Sequence, residues 1–188
     1  IDKNVLSQFD KKQINASIKP EPRWNQPKKI TAYGPPTPMA VDPEKDTKVC
    51  IAVLTNPISD SFTTFSLSLL SNLLLNGPKA PLYKALIESN IALSFSPYTG
   101  YEAENQETSF GIGVVGIKDE EVGQVEKIIN DTLKQSSEEG FESERIESII
   151  HQLELSQKNI TTGFGLSVLG HLNKTVVHGA EPTEGLRI

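Results

Sequence analysis

Seven of the chain's twelve prolines (Pro20, Pro22, Pro27, Pro35, Pro36, Pro38 and Pro43) fall between Lys19 and Asp46, and that concentration decides where a core can form. Proline holds φ in one narrow range and has no main-chain donor, so neither a helix interior nor a central strand can run through such a stretch. Residues 19–46 are therefore expected to be an extended linker, with Trp24 pinning it to a neighbouring surface. Before it, residues 1–18 place Val5, Leu6, Phe9 and Ile14 among polar side chains and read as the tail of a preceding unit. Residues 181–188 read as a second tail. The foldable unit is what remains, residues 47–180.

Within that unit the periodicity changes several times. "KVCIAVLT" (Lys48 to Thr55) is a continuous β-branched and apolar run, the pattern of a strand covered on both faces. "NPISDS" breaks it and offers Ser59, Asp60 or Ser61 as a helix cap. Phe62, Phe65, Leu69, Leu70 and Leu73 then recur at helical spacing until Gly77-Pro78. "PLYKALIES" (Pro81 to Ser89) opens with a first-turn proline and predicts a second helix. A strand over Ala92–Glu102 and another over Thr108–Ile117 are separated by a short acidic connection, which predicts an antiparallel hairpin. Lys118 to Glu121 puts acids at the positive end of a helix whose stripe is Val122, Val125, Ile128, Ile129 and Leu133, closed by Gly140. "FESERIESIIHQLELSQKN" and "GFGLSVLGHLNKTVVHG" predict two more helices. The fold class expected is α+β, a mainly antiparallel sheet with helices packed on it.

Composition removes several function classes. A net charge of −6 and a pI near 5.1 give no footprint for nucleic acid or an anionic membrane, so neither is expected as a partner. No segment holds the roughly 18 apolar residues that would span a bilayer. Cys50 is the single cysteine, so no intrachain disulfide is possible; its apolar run predicts a buried, inert thiol and hints at a reducing compartment. The N-x-S/T triplets at Asn15, Asn130, Asn159 and Asn173 read as accidental.

Two stretches look like chemistry. "IIHQLELS" (Ile149 to Ser156) would be H-x-x-E-H, the helical zinc signature of inverted zincins, were Leu155 a histidine. That signature needs two histidines four apart as ligands and the glutamate as the base for zinc-bound water. Leu155 cannot coordinate, so Glu147, His151 and Glu154 read as the polar flank of a helix whose apolar side is Ile146, Ile149, Ile150 and Leu153. His171 and His178, seven apart among glycines, make a weaker pair. "GIGVVG" (Gly111 to Gly116) matches G-x-G-x-x-G, but the alternation of Phe110, Ile112 and Val114 runs straight through it. A phosphate loop needs a strand that stops at the first glycine, so these glycines are expected inside a strand, on a face where something packs closely. Glu102, Glu104 and Glu107 lie around a polar connection and are expected to be solvated. The residues themselves thus predict no catalytic residue and no metal ligand.

A resemblance goes further. "FTTFSLSLLSNLLLNGPKAPLYKALIESN…FSPYTGYE", "FGIGVVGIKDEEV" and "EEGFESERIESIIHQLELSQKN…TGFGL" together resemble the mitochondrial presequence proteases, large pitrilysin- and insulysin-type zinc metallopeptidases of inverted motif, over roughly residues 30 to 170. The resemblance implies four homologous α+β domains around a closed chamber, with this segment as the second domain, lacking the zinc motif. Its first long helix stands where the first domain carries H-x-x-E-H, yet reads "FSLSLLSNLL". It further implies a parent zinc endopeptidase, a hydrolase of targeting presequences and other short unstructured peptides in the mitochondrial matrix. This fragment alone is expected to be inactive and to hold no cofactor, zinc belonging to the parent enzyme. Its partners would be peptide substrates and the other domains of the same chain, and its contribution chamber wall. Leu93, Ser94, Phe95 and Ser96 are the expected substrate anchor, because in related insulysins an edge strand of the second domain pairs with the substrate. Two other readings stay open: a metal-free core subunit of the same fold, and an independent peptide-binding module.

Overall fold

A computed structural model describes residues 3, 5–10, 19–36, 42–158, 162–179 and 183. Ile14, Pro38, Asn15, Asn159 and most of 181–188 lie outside the described residues. The domain is a four-stranded antiparallel sheet with helices against one face, so the expected α+β class holds. Its strands are β1 (Thr47–Pro57), β2 (Ser94–Phe95), β3 (Gly100–Glu102) and β4 (Glu107–Ile117). β4 is central: β1 pairs along one side of it, with Cys50 opposite Gly113, while β2 and β3 share the other. β3 and β4 form the expected hairpin.

The helices are α1 (Ser61–Leu75), α2 (Pro81–Tyr83), α3 (Val122–Glu139), α4 (Ser143–Lys158) and α5 (Phe164–Val177). Asp60 caps α1 by accepting from the Thr63 amide at 3.1 Å, and Gly77 at φ +83° leads the chain away after its end. The predicted second helix is only partly α-helical. After Tyr83 it widens to π-helical spacing over Lys84–Glu88, the Ser89 amide donating to the Lys84 carbonyl at 3.2 Å. Before α3, the Lys118 amide donates to Glu121 Oε2 at 2.8 Å, satisfying a donor at the helix entry.

The core forms where the helical face meets β4. Leu82, Leu86, Val114, Ile117, Val125 and Ile129 are fully buried, joined by Leu74, Leu75 and Ile112. Each such side chain contributes about 1.5–3 kcal/mol relative to exposure. β1 departs from the sequence reading. Val49 and Ile51 pack against this core, but Lys48, Cys50, Ala52 and Leu54 on the opposite face are exposed. The strand is covered on one face, and Cys50 is an exposed thiol, not a buried one. An apolar run reports that each residue tolerates burial; only the layers actually present decide which face receives it.

The strand predicted over Ala92–Glu102 is likewise two strands. A turn at Ser96–Thr99 separates β2 from β3, with Pro97 at its second position and Tyr98 at φ +64° at its third. The Thr99 hydroxyl bridges the break: it accepts from the Gly113 amide at 3.2 Å and lies 3.1 Å from the Gly113 carbonyl. A side chain thus takes the place of a ladder residue on β4.

Candidate functional site

On α4, Ile146, Ile149 and Leu153 turn partly inward while His151, Glu154 and Leu155 face solvent. His151 Nδ1 is 3.8 Å from Glu154, and Glu154 also pairs with Lys158. The hydrogen bond and charge of Lys158, with a smaller contribution from His151, hold the Glu154 carboxyl below its ordinary range. These are the marks of a solvated polar flank. A zinc ion does not fit this set: Leu155 has no donor, and the one imidazole has a single carboxylate beside it, itself engaged by a lysine. Among the described residues no three His, Cys, Asp or Glu side chains converge on a metal-sized position. His178 is half-buried beyond the end of α5.

"GIGVVG" lies wholly inside β4. A Cβ on Gly111 would come within 2.7 Å of the Tyr98 carbonyl oxygen, and one on Gly113 within 2.6 Å of the Val49 carbonyl oxygen. One on Gly116, at φ +79°, would collide with Leu93. The close packing read from the glycines is real, and its partners are β1 and the 93–98 segment. No helix N-terminus opens at these glycines, so they form no phosphate cradle.

The acidic connection is not uniformly solvated. Glu104 is exposed, but the Glu107 side chain is only 15% exposed; it pairs with Arg23 at 2.8 Å and accepts from the Glu21 amide. The supposed anchor, Leu93 to Ser96, contains β2 and lies at an edge of the sheet. Leu93 and Ser96 give their amides to the Val115 and Gly113 carbonyls of β4, at 3.0 and 2.9 Å. Leu93 and Ser94 are exposed, while Phe95 is half-buried against Tyr83 at a ring separation of 6.5 Å. Beside them Tyr98 projects from the turn, 86% exposed.

Sequence reasoning missed three features. Arg145 on α4 donates to the carbonyls of Leu73 at 2.7 Å and Lys79 at 2.8 Å, tying α4 to the end of α1. Buried Thr108 lies 2.6 Å from the Thr55 hydroxyl and 2.7 Å from the Asn56 carbonyl, while the Tyr101 hydroxyl donates to Asn56 Oδ1 at 2.9 Å. Thr99 is the third. Of these, only Thr108 carried a signal, as a hydroxyl at the head of the apolar run of β4.

The fold is an α+β domain, an antiparallel sheet with helices on one face, and among the described residues it gathers no set of metal ligands. The chain belongs to the family described as the peptidase M16 inactive domain, which residues 3–153 match. It is 39% identical over 188 residues to the mitochondrial presequence protease of Xenopus tropicalis and 40% identical to that of Xenopus laevis, and 35% identical to the Mus musculus protein. Each alignment covers 100% of this chain and 18% of the relative, so the chain spans under a fifth of the proteins it matches. Among solved structures it is similar to an inactive peptidase domain from Bordetella parapertussis. There the TM-score is 0.62 at 16% identity, covering 75% of each chain, a likeness of fold.

Proposed function

We propose that this chain is a non-catalytic wall segment of a larger zinc metalloendopeptidase that degrades targeting presequences and other short unstructured peptides in the mitochondrial matrix. The observation that carries the reading is identity of 35–40% along the chain's full length to presequence proteases several times longer. In this reading residues 19–46 are the linker from a preceding domain and residues 47–180 the wall domain. The zinc site lies elsewhere in the parent chain, and the partners of this segment are peptide substrates and its sister domains.

The same reading makes Leu93 to Ser96 an anchor for extended substrate. An edge position, exposed Leu93 and Ser94, and a β2 only two residues long support it, since a substrate strand can add where the sheet's own pairing is short. The test is steady-state cleavage by the full-length enzyme carrying Phe95→Pro. The Ser94 and Ser96 amides face β4, so the donor open to a substrate strand is that of Phe95; without it KM for a presequence-length peptide should rise several-fold at unchanged kcat. Peptides too short to reach the edge should be unaffected. An equal loss on long and short peptides would sink the anchor. Zinc lost stoichiometrically from full-length protein on His151→Ala would sink the wall reading.

A further inference from the structure

β1 is the sheet's long unpaired edge: among the described residues it pairs only with β4, over eleven residues. Residues 22–35 run beside it without joining the ladder, and a cleft of about 1370 Å³ separates the two. The linker segment is held there at both ends. Arg23 donates to the Thr55 carbonyl at 3.0 Å and pairs with Glu107, both at the far end of β1. Six residues on, Lys29 pairs with Glu126 at 3.4 Å, on the helix that begins just after Thr47's partner Asp119. The segment therefore runs antiparallel to β1.

We propose that residues 28–32 close on the free edge of β1 as a fifth, antiparallel strand opposite residues 46–50, so that the linker is a detachable cover for that edge. The Thr55 carbonyl points to the open side, where Arg23 takes it. The main-chain groups of Lys48, Cys50 and Ala52 point there too, because those of Val49, Ile51 and Val53 face β4, whose Gly113 and Val115 bond on its other side. Extending the Arg23–Thr55 alignment puts Lys28 opposite Cys50 and Ile30 opposite Lys48. Lys29 and Thr31 then share the helix side of the sheet, where Lys29 already meets Glu126. Lys28 and Ile30 share the outer side with exposed Cys50. The occupant is this segment and not a free peptide, because tethering at two points gives it an effective concentration no dissolved peptide matches. Ile30 at 81% and Tyr33 at 92% exposure have no packing of their own to lose by closing.

Cys50 reports the closure. In protein where it is the only thiol, Lys28→Cys, Lys29→Cys, Ile30→Cys and Thr31→Cys are made singly and oxidised mildly. A strand partner brings same-face Cα atoms within the roughly 4.4–6.8 Å a disulfide needs and sends alternate side chains to the other face. Bridging should favour positions 28 and 30 over 29 and 31 by at least about fivefold. Ile30→Pro should speed hydrogen exchange of the Lys48 and Cys50 amides, which face the open edge, about tenfold or more while leaving β4 amides unchanged. Equal bridging at all four positions means a segment that sweeps past without pairing, and overturns the proposal. No bridging with a protected Cys50 amide means that another strand owns the edge, and overturns it too.

Discussion

Gly113→Ala tests whether the glycines of "GIGVVG" are there for sheet packing. A Cβ at position 113 would sit 2.6 Å from the Val49 carbonyl oxygen and 2.9 Å from Cys50 Cβ, and would strike Ser96 Oγ as well. Ser96 can rotate away. The other two atoms belong to the paired strand and can yield only if β1 and β4 move apart along a register running from Lys48 to Leu54. Overpacking with side-chain relief alone costs about 1–3 kcal/mol, so a contact with main chain belongs at or above the upper end, about 3 kcal/mol. For a chain of this size that lowers Tm by about 6–12 °C. Gly123→Ala is the control: it lies in the first turn of α3 with nothing within 4 Å of the new methyl, and should be neutral or stabilising by up to about 1 kcal/mol. Thermal melts followed by far-ultraviolet circular dichroism read both. If Gly113→Ala melts within 2 °C (about 1 kcal/mol or less) of the parent, the close approach is not a constraint and the strand reading of these glycines fails.

Three further outcomes follow from single side chains. Arg145→Met keeps the stem but leaves the Leu73 and Lys79 carbonyls without their cation; urea unfolding should show a loss of about 2 kcal/mol. Tyr98→Gly removes a non-glycine residue from φ +64° and a ring that is 86% exposed, so stability should rise by about 1 kcal/mol, and a fall would show that the ring is packed. The Asp60 carboxyl is held below its ordinary value of 3.8 by the Thr63 hydroxyl and amide, so its capping contribution is present above that pH and is lost as pH falls through the lowered value. Asp60→Asn, which keeps the acceptor without the proton, should therefore flatten the acid limb of the melting profile; an unchanged limb would remove Asp60 from the cause.

Much of this was legible in the chain because it depends on neighbours in sequence. Helical spacing in 62–73 and 122–133, the Asp60 cap, the Gly77-Pro78 stop and the β3–β4 hairpin are local, and they stand where the pattern puts them. So does the failure of the zinc motif, since Leu155 lacks a donor in any fold. What tertiary structure alone decided is which faces are covered and where pairing breaks. "KVCIAVLT" looks buried on both sides, yet Cys50 and Leu54 are exposed because no layer lies over that face among the described residues. The run from Ala92 to Glu102 reads as one strand, yet it splits because Thr99 can satisfy Gly113 with its hydroxyl and let Ser96–Thr99 turn out. Arg145 and Glu107 read as surface charges, yet each holds a segment 66 or more residues away. Hydrophobic pattern records what each residue tolerates; burial and long-range hydrogen bonds depend on partners that sequence distance hides.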